Sequence, residues 1–189
     1  MHRRSAWRLL AAAALATACG EQSAEAPSTS GFLPANTAAA GDCIDDGRLR
    51  TALYGALNGE LAWTGAAMQC EGMPRPDGRG ARLRFAGPAD ASQIAIIIAL
   101  PDLDRAQTGA ELASNVTLIE EGSGRFFSTP DLSHCWTDVL AQTPIDTGNE
   151  RYAIGGRLYC IAPLVEVNGS GSVSIDELEF TGRVDWSGS

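Results

Sequence analysis

From Cys43 onward the pattern of apolar residues is dominated by period two, and that period most restricts what this chain can become. In Ala81-Arg82-Leu83-Arg84-Phe85 apolar side chains alternate with arginines, the pattern of a strand with one wet face. Ile94, Ile96, Ile98 and Leu100 alternate with Ala95, Ile97 and Ala99, which predicts a strand covered on both sides. Val116-Thr117-Leu118-Ile119 and Arg125-Phe126-Phe127 flank Glu120-Glu121-Gly122-Ser123-Gly124, a hairpin with a glycine-rich turn. Arg157 to Ile161 and Val173 to Ile175 continue the alternation. Two last strands are predicted around Leu178-Glu179-Phe180 and Arg183 to Trp186, with Gly169-Ser170-Gly171-Ser172 as the turn entering Val173. Gly, Ser and Pro punctuate these runs at the spacing of a sandwich or barrel. The expected fold is therefore all-β, an antiparallel sandwich or flattened barrel over residues 43–187.

Residues 46–64 fit two periods. Leu49, Leu53 and Leu57 fall four apart, as on a helix, yet Leu53, Leu57, Leu61 and Trp63 also share parity. Asn58-Gly59 is a strong two-residue hairpin signal, and Gly55 and Gly59 each cost a helix about 1 kcal/mol, so strands are preferred. A helical turn is predicted from Asp104 to Ala113.

The first forty-two residues read differently. A basic start (His2, Arg3, Arg4, Arg8) precedes an apolar run from Leu9 to Ala18, the layout of a secretory signal peptide and too short to span a bilayer comfortably. Leu15-Ala16-Thr17-Ala18-Cys19-Gly20 resembles the lipobox of bacterial lipoproteins, with its large aliphatic residue four places before the cysteine and not three. The resemblance implies cleavage after residue 18 and acylation of Cys19 by fatty chains of the palmitate class. It also implies outer-membrane residence facing the periplasm, since no Asp takes the second mature position. Several chains anchor stably, at about 0.8 kcal/mol per buried methylene. Residues 19–42 are mostly Ala, Ser, Thr, Pro and Gly, with Glu21 and Glu25 early and Phe32 and Leu33 as the large apolar exceptions, too little burial to order a chain, so a flexible tether is expected. In composition the globular part resembles small uncharacterised bacterial lipoproteins, a likeness that assigns no functional residue.

Export gives the cysteines their meaning. With Cys19 set aside, Cys43, Cys70, Cys135 and Cys160 form an even set in an oxidising compartment and read as disulfides. Of three connectivities, Cys43–Cys70 with Cys135–Cys160 closes the shortest loops, about 25 residues each and worth about 3–4 kcal/mol apiece. A four-thiolate zinc site would ordinarily show Cys-x-x-Cys pairs, and none occurs.

Charge excludes one class of partner. The chain holds 14 basic and 23 acidic residues; residues 1–18 remove three arginines and no acid, leaving 11 against 23, a net −12. Nucleic-acid phosphates would be repelled, so no nucleic-acid partner is expected. Chemistry-bearing motifs are sparse. His134 beside Ser133 and Cys135 is the sole histidine after the signal, and strand neighbours point to opposite faces, so no catalytic residue is nominated. The acids at Asp102 and Asp104, at Asp146 and Glu150, and at Asp176, Glu177 and Glu179 lack calcium-loop spacing and read as solvated loop acids, with no metal or cofactor expected. Trp63, Trp136, Tyr152, Tyr159 and Trp186 are the candidate binding residues, with core packing as the competing role; Trp136 should face away from the side of Cys135. The expected function is binding or scaffolding toward another envelope component. A small apolar-ligand carrier of the lipocalin sort would need an interior cavity, and a carboxylate-dependent hydrolase two facing acids in one cleft.

Overall fold

The computed structural model describes residues 43–90 and 92–187, so the signal peptide, Cys19 and the tether lie outside the described residues. The regular elements are all strands: β1 (Arg48–Gly55), β2 (Gly59–Thr64), β3 (Gln69–Pro74), β4 (Ala81–Ala89), β5 (Ser92–Leu100) and β6 (Gly109–Glu121). They continue with β7 (Arg125–Ser128), β8 (Cys135–Pro144), β9 (Arg151–Cys160), β10 (Leu164–Glu166), β11 (Ser172–Ile175) and β12 (Leu178–Asp185). Every pairing among them is antiparallel, as the alternation requires.

Three long strands are each broken once. Both β7 and β8 run beside β6, where Thr117 faces Ser128 and Ser114 faces Cys135, and Thr129 N donates to Val116 O between them. Likewise β9 and β10 line β8 and β7, while β12 and β11 line β1, with Asp176 N donating to Ala52 O at the break. Across the sheet the order is therefore β2, β1, β11/β12, β9/β10, β7/β8, β6, β5, β4, β3. The circuit closed by the β6–β8 pairing arises from these breaks and does not make a regular barrel. The sheet instead rolls until β3 and β4 pack on β12. Gly72 marks that seam: a Cβ there would lie 2.5 Å from Arg183 O.

Inside the roll, one cluster buries Leu49, Leu83, Ile96, Leu118, Phe127 and Leu158 among others. Phe85 of β4 meets Phe180 of β12 with ring centroids 5.4 Å apart, a tilted geometry that favours the ring quadrupoles. Glycines make the room. A Cβ at Gly182 would come 2.6 Å from Phe85 Cε1, and one at Gly156 2.8 Å from Phe180 Cζ. Gly182 therefore does not separate two strands, as the sequence suggested; it lies mid-strand in β12 because an incoming ring fills its empty side. Residues 46–64 form the preferred hairpin, but not on a two-residue Asn58-Gly59 turn. Leu53 faces Gly59, and Asn58 closes the intervening loop through its side chain, donating to Gly55 O (2.6 Å) and accepting from Gly55 N (3.0 Å). The helical turn expected from Asp104 is absent. Gln142 Nε2 donates to Asp104 O (2.8 Å) and Gln107 O (2.6 Å), holding a loop, and β6 starts at Gly109. The disulfides join Cys43 to Cys70 and Cys135 to Cys160.

At one end of the roll, Arg125 Nε donates to Glu166 Oε1 (2.9 Å) and Gly171 N donates to Glu166 Oε2 (2.9 Å), while the guanidinium sits 5.0 Å over the Phe127 ring. This ties the β6–β7 hairpin to the β10–β11 turn. The Arg125 hydrogen bond, then that of Gly171, holds the Glu166 carboxyl below its usual range. A carboxyl lowered on folding stabilises above its unfolded pKa, about 4.3, and loses that contribution as pH falls through its folded value. In urea unfolding, Glu166→Gln should lower the midpoint at neutral pH and converge on the parent by about pH 3. A gap that stays constant with pH would remove ionised Glu166 as the cause.

Candidate functional site

The five candidate aromatics divide by face. Trp63, Tyr152 and Trp186 are core residues. Their alternation points them inward, where Trp63 Nε1 donates to Pro88 O (2.8 Å) and Trp186 Nε1 to Gln142 Oε1 (3.2 Å), satisfying each buried indole. Trp136 and Tyr159 point outward from β8 and β9. They face each other across the strands, centroids 6.0 Å apart and planes 24° off parallel, with the Cys135–Cys160 bridge on the inner side. Ser133 and His134 occupy a turn and not a strand, and both converge on Asp131. Ser133 Oγ donates to Asp131 Oδ1, and His134 Nδ1 lies 2.8 Å from the same oxygen. These bonds, those of Ser133 first, hold the Asp131 carboxyl down at about 2. A nucleophile–base pair needs the histidine between hydroxyl and acid, whereas here the acid lies between the other two.

Beside the aromatic pair the sheet is irregular twice. On β6 the register shifts between Gly109 and Leu112, where Glu111 takes φ +52° and its N–H donates to Asp138 Oδ1 (2.8 Å). On β8 it shifts between Val139 and Ala141, which throws Leu140 out to 59% exposure. Such bulges re-aim side chains, and a non-glycine residue in the left-handed region costs of order 1–3 kcal/mol unless its surroundings impose it. The result gathers Glu111, Asp138, Trp136 and Tyr159 on one outer patch. Burial pushes the Tyr159 phenol above its usual range, with the charges of Glu111 and Asp138 adding to it.

From Asp138 a row of charge crosses the sheet. Asp138 faces Arg157, Arg157 faces Glu179, and Glu179 faces Arg50, so sign alternates over β8, β9, β12 and β1. Arg48, Arg50 and Arg157 nevertheless form no ion pair with another described residue. Next to this row lies a trough of about 350 Å³, floored by Ala141, Ala153 and Gly155 and flanked by Leu140, Thr143 and Arg48. A second hollow, about 320 Å³, is bordered by Glu60, Asp176, Glu177 and Glu179, all exposed. The third, about 510 Å³, follows the β3–β12 seam past Met73 and Arg183. All three are open to solvent, and Phe85, Phe127, Phe180 and their aliphatic neighbours are buried inside the roll.

Compared with protein-family models, curated proteins and solved structures, the chain matches none. The site is thus defined by its own geometry. Sequence reasoning had singled out Trp136 and Tyr159 but missed Glu111, Asp138, Arg157, Arg48 and Leu140. Gly109 falls inside the helical turn expected from Asp104 to Ala113, so the bulge that follows it was hidden by that reading.

Proposed function

We propose that the chain is a lipoprotein held to the outer membrane through Cys19, periplasm-facing, which acts by binding another envelope component through the outer face of β6, β8, β9 and β12. The anchor rests on the lipobox resemblance. The binding role rests on a partly buried Trp136–Tyr159 pair on the outer face, beside Arg157 and Arg50, which form no ion pair with a described residue, on a face twice bulged. Surface aromatics concentrate binding energy, and backbone held in a sparsely populated region clusters at binding sites. The described hollows are open to solvent, which directs the reading to the surface.

Cys19→Ser should move the protein from the membrane pellet to the soluble fraction of lysed cells, because the acyl chains supply the attachment. Unchanged membrane recovery would overturn the anchor. For the binding face, a photo-crosslinking residue at Leu140 should trap an envelope component in intact cells, whereas one at Asp77, on the β3–β4 turn, should not. Equal capture from both positions would mean that this face is not selected.

A further inference from the structure

We infer that this face binds a neutral linear glycan, with sugar rings on the Trp136–Tyr159 pair and hydroxyls held by Asp138, Arg157 and Glu179; the inference rests on the binding reading above. The sign pattern is the first reason. Acid and base alternate from Asp138 to Arg50, and no ion pair with a described residue occupies Arg157 or Arg50. An anionic ligand would meet Asp138 and Glu179, and a cationic one Arg157 and Arg50, so each would be repelled by half of the row. A ligand whose groups both donate and accept satisfies all of it. Carboxylates accept from hydroxyls, and guanidinium forks donate to them. Thr143 and Thr181 along the trough add hydroxyls that do both.

The second reason is shape. Flat aromatic surface suits the apolar C–H face of a sugar ring, which is wet on its edges and dry on its flat side. Along β9, Tyr159 and Ala153 stand six residues apart on the same outer face, about 20 Å at strand rise. The trough running beside that line is floored by Ala141, Ala153 and Gly155 over Phe180, small residues that leave an extended surface along the strands.

A polypeptide fits less well. Around Trp136, Arg157 and Glu179 the strands are paired on both edges, so a peptide cannot join at these residues as an added strand. What the face presents is ring surface and mixed hydrogen-bonding groups in a line.

The test is a glycan array probed with the full-length lipidated protein in detergent. It should carry neutral hexose, pentose and N-acetylhexosamine oligomers, uronic-acid and sulfated glycans, and one acidic and one basic peptide. Signal is expected on neutral oligomers, little changed between about 0.05 and 0.5 M salt, since no net charge is screened. Trp136→Ala and, separately, Arg157→Gln should each weaken it at least about ten-fold, with thermal unfolding of both variants confirming that they fold. Strongest signal on charged glycans or on a peptide, lost in the same variants, would overturn the glycan while leaving the binding face intact. Silence on every glycan while Leu140 still traps a protein in cells would do the same. Full glycan signal in both variants would overturn the site itself.

Discussion

Phe180→Ala is expected to destabilise the protein by about 3–5 kcal/mol, the range for emptying a buried aromatic position. The ring is 2% exposed and meets Phe85 across the fold, and its edge occupies the space that Gly156 leaves open. Neighbouring backbone cannot collapse into the gap, because β12 is hydrogen-bonded to β1 and β9 on either side. The full cavity cost therefore applies. Phe180 also underlies the trough beside Arg48 and Ala153, so the same substitution should soften the binding face. Phe180→Leu keeps most of the apolar volume and should cost clearly less. Equilibrium urea unfolding measures both. A loss below about 1 kcal/mol for Phe180→Ala would mean that the two layers are not locked by this contact.

The roll of strands was legible because alternation is a local signal wherever one face is wet. Ala81 to Phe85 needed no more than its own five residues to declare a strand. The preferred disulfide pairing was legible for a related reason: short loops bring nearby cysteines together, and β8 and β9 set Cys135 opposite Cys160. Gly182 misled because a glycine that punctuates a chain and one that admits a ring look identical until Phe85 is placed against it. Asn58-Gly59 misled because Asn58 closes the loop with its side chain instead of its backbone.

The site was harder to see for a physical reason. Glu111 and Asp138 are 27 positions apart and meet only after β6 slips register; Arg50 and Glu179 meet only once the N-terminal strand joins the last one. No window of sequence contains either pair. One division follows from spacing once the strand is known. Tyr152 and Tyr159 both lie on β9 and are separated by an odd number, so they face opposite sides, one inside and one outside.

Replacing Cys135 and Cys160 together with alanine should cost about 3 kcal/mol, mainly through freedom returned to the unfolded chain. The bridge spans 25 residues, which sets the entropic contribution, and the Cys43–Cys70 bridge spans 27, so the two should contribute alike to stability. Their effects on the binding face should differ. Cys135 and Cys160 sit directly before Trp136 and after Tyr159, at the point where the paired strands break. Without the bridge, Ile161 N donating to His134 O is the next link past that break, and one exposed hydrogen bond holds far less than a covalent crosslink. The aromatic pair should therefore loosen in the folded protein, seen as a change in near-ultraviolet circular dichroism, whereas Cys43→Ala with Cys70→Ala should leave that signal alone. Equal optical changes in the two double variants would mean that the aromatic pair is ordered by the sheet and not by the bridge behind it. A stability loss under about 1 kcal/mol in both would show that chain entropy is not what these bridges supply.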